Sequence, residues 1–275
     1  MADKTYENIK ITREGGITFL SLNRPDKRNA MSPALHYDVE DALTWLARDA
    51  ETKVLVLTGE GEAWCAGQDL KLYFRETANN PDERARSNTA SHHWRWELLS
   101  RFPKPTIAMV NGYCFGGAFT QLHAVDFVIT AEDAIYGLSE VNWGIIPGGI
   151  VSWNMVQMML PRHALYYAAT GEPFDGKRAV ELGIANFAYP KEQLRAETVK
   201  MAQKLMNLNP NVLRFTKEAV RSVADMTAEQ ARDYLGAKQD SLARNDKEIA
   251  DKRGMKQFLD EKSYRPGLGP YPRGE

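Results

Sequence analysis

Three short segments combine bare backbone with residue types that can move protons. Two of them, WCAGQDLKLYF at 64–74 and NGYCFGGAFT at 111–120, contain glycines that follow apolar, strand-like runs. The third, YGLSEVNWGIIPGG at 136–149, sets Glu140 among Leu, Trp, Ile and Pro. Backbone N–H groups at a helix N-terminus attract negative charge, and a carboxylate in apolar surroundings can exchange protons. Together the segments predict a site that stabilises an oxyanion and transfers a proton.

Each segment alone has a simpler structural interpretation. A glycine after a strand usually makes a turn, and a single glutamate in an apolar stretch is more often a helix cap or an arginine partner. Only the combination favours chemistry. The aromatic run 92–96 either flanks an aromatic ligand or packs a helix onto a sheet, and we favour packing. His123 and His163 show no triad order and no metal spacing, which indicates structural roles.

The composition is that of an ordinary globular protein of 275 residues. Lys plus Arg number 35 and Asp plus Glu number 36, so the net charge of −1 argues against a general affinity for nucleic acid or anionic membranes. Cys65 and Cys114 have no metal-ligand spacing and are expected to be buried, reduced thiols. The polar N-terminal stretch and the interrupted apolar run at 107–130 predict a soluble, cytoplasmic protein without a signal peptide or membrane span.

The hydrophobic pattern predicts α/β architecture. Residues 8–22 read as a hairpin with a Gly-Gly turn, and Ser32 followed by proline predicts a helix start. Continuous apolar runs predict buried, mainly parallel strands at 54–59, 106–112 and 127–130. Residues 77–88 are polar and predict a loop or an irregular helix start. From about residue 150 the pattern becomes helical, and it ends in the Pro/Gly-rich tail 265–275.

The ordered motifs NRPDKRNAMS, AGQDL, NGYCFGGAF and GLSEVNWGIIPGG resemble the crotonase (enoyl-CoA hydratase/isomerase) superfamily. The terminal GMKQFLDEK resembles that family's closing helix, so the resemblance covers nearly the whole chain. It implies an α/β fold, a crotonase-type spiral of ββα units with a helical C-terminal trimerisation region. Residues 1–205 would form the core with the coenzyme A and oxyanion site, and residues 206–275 the helical region. A homotrimer or a dimer of trimers is implied.

The resemblance also implies the substrate class and a set of site residues. The substrate would be a coenzyme A thioester, with no separate cofactor and no metal. The backbone N–H groups of Gln68 and Gly117 would form an oxyanion hole for the thioester carbonyl. Residues implied to lie along the coenzyme A moiety are Lys27, Ala66, Gly67, Asp69 and Leu70.

One position departs from ordinary hydratases and narrows the resemblance. The ordinary hydratases that these motifs resemble have a glutamate at the position where this chain has Thr120. This chain therefore keeps only Glu140 of the two carboxylates that the resemblance implies. The segments GLSEVNWG, NGYCFGG and QDLKLYF are more similar to the hydroxycinnamoyl-CoA (feruloyl-CoA) hydratase-lyases. That likeness implies hydration and retro-aldol cleavage to an aromatic aldehyde and acetyl-CoA. Glu140 would be the base, Tyr73 would bind the phenol, and Thr120 would position water.

The same likeness implies that the acyl and thioester pocket is lined by Ser139, Trp143 and Gly148. Two positions depart from the lyases: Gln68 replaces an apolar residue, and Gly236 replaces a second tyrosine. Without that tyrosine, Tyr73 is left to hold the phenol, with Tyr234 as a second candidate. An aliphatic enoyl-CoA hydratase or isomerase is the alternative enzyme, and an isomerase can work with Glu140 alone. An RNA-binding or scaffold protein is a third alternative, which the net charge and Glu140 disfavour.

Overall fold

Ten strands and ten α-helices lie in the part of the chain that a computed structural model describes, residues 4–247, 249–263 and 269. The strands are β1 (Ile9–Glu14), β2 (Ile17–Leu22), β3 (Val54–Gly59), β4 (Ala63–Cys65), β5 (Thr106–Val110), β6 (Tyr113–Phe115), β7 (Phe127–Ala131), β8 (Ile135–Gly137), β9 (Phe174–Asp175) and β10 (Phe187–Tyr189). The helices are α1 (Pro33–Leu46), α2 (Pro81–His92), α3 (Ala118–Ala124), α4 (Val151–Met158), α5 (Pro161–Thr170), α6 (Gly176–Glu181), α7 (Lys191–Met206), α8 (Pro210–Ser222), α9 (Ala228–Asn245) and α10 (Ala250–Met255). Short 3-10 or π-helical segments cover Pro25–Lys27, Leu70–Arg75, Glu76–Asn79, His93–Leu98, Glu140–Trp143, Val223–Asp225 and Lys256–Asp260.

A six-stranded sheet forms the centre of the first of two units, which holds residues 4–102 and 106–199. Its strand order is β1-β2-β3-β5-β7-β10, and every pairing is parallel except the β1–β2 hairpin. The hairpin turns at Gly15 and Gly16, both with positive φ, as the Gly-Gly signal predicted. All residues of β3 and β5 are buried, which agrees with the continuous apolar runs that predicted them.

A second sheet of four very short strands, ordered β4-β6-β8-β9, lies in the same unit. The strands β3/β4, β5/β6 and β7/β8 are consecutive along the chain, and each such pair supplies one strand to each sheet. Helical segments follow these pairs, so the chain repeats a ββα unit, as the resemblance implied. Hydrophobic periodicity did not predict the second sheet, because β4, β6 and β8 have three residues each.

The start of α1 follows the predicted capping chemistry. The Ser32 side chain accepts a hydrogen bond from the N–H of Leu35 at 3.2 Å and Pro33 opens α1. Of the two predictions for the polar stretch 77–88, a loop or an irregular helix start, the structure agrees with the second. Glu76–Asn79 is a 3-10 segment, and α2 begins at Pro81 with Asn80 as its N-cap. Asn and Pro, interpreted as turn residues, are here the capping pair of a helix that consists mostly of polar residues.

The second unit contains residues 103–105 and the described residues from 200 onwards. Helix α9 begins with a capping box between Thr227 and Gln230, and the Tyr234 hydroxyl donates to Ser222 Oγ at 3.0 Å. The region is helical as expected, whereas the predicted tail lies outside the described residues apart from Gly269. None of the helices in the described ranges is both long and apolar enough to cross a membrane. Trimerisation remains a prediction.

Candidate active site

The three segments that the sequence analysis singled out include residues of β4, β6 and β8, and each continues as a loop from the same edge of the second sheet. Strands β4 and β6 are parallel, with Cys65 and Cys114 as register partners. Strands β6 and β8 are also parallel, with Phe115 opposite Gly137. Because the carboxyl ends of parallel strands meet at one edge, the loops that follow these strands start side by side. Both cysteines are buried free thiols, as predicted, and are part of this support.

Two backbone N–H groups remain free where the first two loops meet. Gly67 has a φ of +88°, and a Cβ built on it would lie 2.8 Å from the Phe115 carbonyl oxygen and 3.4 Å from the Gly117 nitrogen. The Met31 N–H donates to the Gly67 carbonyl, and the Asp69 N–H donates to the Met31 carbonyl. Among the backbone hydrogen bonds of the described ranges, none uses the N–H of Gln68 or Gly117. Two unpaired amides in neighbouring turns can hold an oxyanion.

The third loop brings a carboxylate to the same place. Gly116 has a φ of +52°, and a Cβ built on it would lie 2.9 Å from Oε1 of Glu140. Glu140 opens the 3-10 segment Glu140–Trp143 and is half-buried. Burial raises the pKa of the Glu140 carboxyl, and the other atom, Oε2, has no hydrogen-bond partner among the described residues. A carboxyl group with a raised pKa and a free oxygen can accept and return a proton.

A relay of buried side chains holds Gln68. Nε1 of Trp94 donates to Nδ1 of His36 at 2.8 Å, and because an indole N–H only donates, the proton of His36 lies on Nε2. That Nε2 donates to Oε1 of Gln68 at 2.8 Å, and Nε2 of Gln68 donates to Oγ of Ser91 at 3.1 Å. Burial lowers the pKa of His36 to about 3, so the ring is neutral. The relay therefore holds the side chain of Gln68, the residue whose backbone N–H is unpaired.

A cavity of about 940 Å³ opens between these groups. Of the predicted site residues, those on its wall are Ala66, Gly67, Gln68, Leu70, Tyr73, Gly117, Ser139, Glu140, Trp143 and Gly148. Glu140 is the one acidic residue among the described residues that line it. The wall thus combines one carboxylate, two free amides and a largely apolar surface, a set that can hold a thioester enolate and carry one proton.

Three predicted site residues do not line the cavity. Lys27 ends an exposed 3-10 segment, and its Nζ lies 3.5 Å from Asp26. The carboxylate of Asp69 is used locally: it accepts from the N–H groups of Lys71 and Leu72 and pairs with Arg24 at 3.0 Å. Asp69 therefore caps the π-helical segment Leu70–Arg75.

Thr120 is the third of these residues. It lies in α3 and is 1% exposed, and its Oγ1 has no hydrogen-bond partner among the described residues. The first turn of α3 points this side chain into the core instead of the cavity. Thr120 is not part of the cavity wall, so the structure shows no contact through which it could position water there.

Tyr73 lies on the cavity wall and is 6% exposed. Its hydroxyl donates to Oδ1 of Asn88 at 2.5 Å, and its ring meets that of His36 edge to face at 5.4 Å. Because the proton of Tyr73 is directed to Asn88, its phenol oxygen can act only as an acceptor towards a further partner.

Several cavity residues were not identified from the sequence. They are Arg28, Arg84, Asn88, Ser91 and Arg95. Four of these, Arg84, Asn88, Ser91 and Arg95, lie on α2 and the segment that continues it, for which the sequence left a loop or an irregular helix start open. Their spacing of three to four residues is that of one helix face, so a helical interpretation of 81–98 would have grouped them. Two residues of the aromatic run pack as favoured: Trp94 is fully buried and Trp96 stacks on His123 at 5.4 Å. His92, from the same run, lines the cavity.

Comparison with known proteins agrees with this geometry. The sequence profile of the enoyl-CoA hydratase/isomerase family matches residues 12–265. A hydroxycinnamoyl-CoA hydratase-lyase of Pseudomonas fluorescens is 48% identical over 271 residues, covering 98% of this chain and 98% of that protein. An enoyl-CoA hydratase subunit I of Geobacillus kaustophilus is 29% identical with a TM-score of 0.84, over 98% of this chain and 99% of its own.

An enoyl-CoA hydratase of Bacillus anthracis gives the same result, with 27% identity and a TM-score of 0.85 over 98% of this chain and 100% of its own. Both structures share the fold of this chain, in which repeated ββα units build the two sheets. The family profile, the 48% identical relative and the shared fold lead to one conclusion: the chain belongs to the enoyl-CoA hydratase/isomerase, or crotonase, family of enzymes.

Proposed function

We propose that the protein is a hydratase-lyase that acts on 4-hydroxycinnamoyl-CoA thioesters such as feruloyl-CoA. The observation that carries the proposal is the composition of the cavity wall: Glu140 is its single carboxylate among the described residues, and a buried tyrosine, Tyr73, lines the same space. The 48% identity to a relative named hydroxycinnamoyl-CoA hydratase-lyase supports it. Coenzyme A enters as part of the substrate, and the reaction needs no further cofactor.

The first step is addition of water to the double bond. Glu140 takes a proton from water as the oxygen bonds to the carbon next to the ring. The electron pair moves to the thioester oxygen, which the N–H groups of Gln68 and Gly117 stabilise as an enolate. Glu140 then returns the proton to the α-carbon. One carboxylate suffices because it accepts and donates the same proton.

The second step breaks the bond between the α- and β-carbons. Glu140 removes the proton of the new hydroxyl, the carbonyl of the aromatic aldehyde forms, and the bonding electrons pass to the thioester as the enolate of acetyl-CoA. Protonation of that enolate by Glu140 completes acetyl-CoA. Both steps pass through a thioester enolate, so a single oxyanion hole lowers both barriers.

The aromatic end of the substrate is assigned to Tyr73. Because the hydroxyl of Tyr73 donates to Asn88, its oxygen is available to accept the proton of a para-hydroxyl group. The exposed apolar side chains of Leu70 and Trp143 border the acyl group, and the turn at Ala66 borders the thioester. Lys27 lies on the surface, where it is available to the phosphates of coenzyme A.

Product analysis after mixing the enzyme with feruloyl-CoA or crotonyl-CoA tests the proposal. We expect vanillin and acetyl-CoA in equal amounts from feruloyl-CoA, and loss of both products in Glu140→Gln. Hydration of crotonyl-CoA without any aldehyde from feruloyl-CoA would contradict the proposal and indicate an aliphatic hydratase. Glu192→Gln, an exposed glutamate in the first turn of α7, is the matched control and should behave as wild type.

A further inference from the structure

Arg95 is a cation on the cavity wall that the reaction above does not use. Its Nη1 donates to the carbonyl oxygen of Gly117 at 2.8 Å, and its Nε donates to the carbonyl oxygen of Ser91 at 3.1 Å. A Cβ built on Gly117 would lie 3.3 Å from that Nη1. The guanidinium therefore lies directly against the residue whose N–H group is free.

The guanidinium of Arg95 forms no ion pair with a carboxylate among the described residues, although Glu140 lies on the same cavity wall. Both of its hydrogen bonds go to neutral carbonyl groups, and none of the described carboxylates pairs with it. Arg28, which also lines the cavity, is by contrast paired with Glu62 at 2.8 Å. Burial lowers the pKa of Arg95 to about 10, so the side chain is still cationic at neutral pH.

An unpaired cation in a partly buried place destabilises the folded state unless an anion compensates for it. Arg95 contacts Gly117, and the space in front of the unpaired Gln68 and Gly117 amides is a place where an anion can form. Negative charge is absent there in the bound substrate and appears on the thioester oxygen as the enolate forms. A fixed charge next to that position stabilises the enolate more than the ground state, which is the requirement for catalysis.

We propose that Arg95 is a positioning residue of the oxyanion hole, which orients Gly117 through its carbonyl and supplies the positive charge that balances the enolate. This inference rests on the part of the proposed function that assigns the two amides to the thioester oxygen. It does not depend on the aromatic acyl group. The side chain acts through Gly117 and through space, and exchanges no proton.

The inference predicts an effect on the charge of a bound ligand that a purely structural arginine would not produce. Acetoacetyl-CoA has no double bond to hydrate, and its enolate absorbs at longer wavelength than its keto form. A spectroscopic pH titration of the enzyme–acetoacetyl-CoA complex therefore measures the pKa of an enolate held in the site. The complex is titrated for wild type, Arg95→Lys, Arg95→Gln and Arg101→Gln. Arg101 is an exposed arginine that does not line the cavity and is the control.

We expect the pKa of acetoacetyl-CoA to be lower in the wild-type complex than in water. In Arg95→Gln it should rise by about one to two units, a roughly 10- to 100-fold loss of enolate stabilisation. Arg95→Lys should recover at least part of this loss, and Arg101→Gln should match wild type. The Kd of butyryl-CoA, a neutral thioester, should stay within about twofold in Arg95→Gln because no enolate forms. The kcat of the enzyme should fall about 10- to 100-fold with the enolate stabilisation.

Three results would overturn the inference: an unchanged ligand pKa in Arg95→Gln, equal damage by Arg95→Lys and Arg95→Gln, or a wild-type complex whose ligand pKa is not below that in water. The last needs no variant and can overturn the inference even if Arg95→Gln fails to fold. Failure of the lyase reaction is a separate result. An enzyme that forms no aldehyde but shows the charge-dependent pKa retains the Arg95 assignment and loses only the aromatic substrate.

Discussion

The carboxylate of Glu140 lies against the bare Cα of Gly116, so closely that a Cβ on that glycine would come within 2.9 Å of Oε1. The two adjacent glycines therefore have different functions. Gly116 has positive φ and leaves room for the base, whereas Gly117 has ordinary helical φ and offers its free N–H to the same cavity. This one dipeptide therefore sets the separation between the Glu140 carboxylate, the proposed base, and the Gly117 amide, one of the two proposed oxyanion donors.

Gly116→Ala should reduce activity far more than stability. The added methyl group strains a φ of +52° and displaces the Glu140 carboxylate, and a displacement of about 1 Å can lower kcat/KM about 100-fold. Gly15→Ala is the matched control, because Gly15 has a φ of +54° with nothing within 4 Å. Chemical denaturation should show a similar loss of about 1 kcal/mol for both variants. Equal activities for the two would show that the Gly116 contact does not position the base.

Glu140→Gln should abolish turnover without destabilising the fold. Removal of a general base typically lowers kcat about 100- to 10,000-fold. Because burial raises the pKa of Glu140, its charged form disfavours folding, and that cost is absent at low pH and grows as pH rises past the ordinary glutamate value. The neutral amide removes the cost, so unfolding at pH 7 should occur at the same or higher denaturant concentration.

The pH dependence of kcat/KM tests the same group in the wild-type enzyme. The base must be ionised, so activity should fall on acidification with a midpoint above the ordinary glutamate pKa of 4.5. A midpoint at or below 4.5 would mean that another group limits the reaction. Saturating and limiting substrate should be compared, because the two conditions report the bound and free enzyme.

Tyr73→Phe should affect only substrates that carry a para-hydroxyl group. Loss of the acceptor oxygen leaves a buried phenol unpaired, and we expect a fall of about 10- to 100-fold in kcat/KM for feruloyl-CoA. Competitive binding of cinnamoyl-CoA, which lacks that hydroxyl, should change by less than about threefold. Tyr113→Phe, at another tyrosine on the cavity wall, is the control and should leave both values unchanged. A general loss for both ligands would indicate damage to packing.

His36 should make the protein sensitive to acid. Its folded-state pKa of about 3 lies below the ordinary value of 6.5, so the neutral ring contributes stability above pH 6.5 that is lost as pH falls towards 3. Fully developed, the loss amounts to about 3–5 kcal/mol. Urea denaturation at pH 7 and pH 4 should show a smaller pH-dependent difference in His36→Gln than in wild type. His163→Gln should retain the wild-type difference.

Local residue types were sufficient to predict several parts of the molecule. Ser32 and Pro33 carry the capping chemistry of α1, and the apolar run of β3 predicts a strand buried on both sides. The glycine pair and Glu140 could be recognised as candidates because positive φ, free N–H groups and a carboxylate in apolar surroundings are properties of single segments. These properties depend on neighbours a few residues away, which a sequence displays directly.

The arrangement of the site was decided by tertiary structure. The strands β4, β6 and β8 are too short for a periodic signal, yet their parallel pairing alone places Gln68, Gly117 and Glu140 together. Asp69 and Thr120, which the resemblance placed in the site, do not line the cavity. Asp69 caps a helical segment and Thr120 is buried in the core, because the direction of a side chain depends on the element that carries it. Arg95 became visible only through its contact with Gly117, 22 residues away. Sequence determined which groups were available, and long-range strand pairing determined which of them meet.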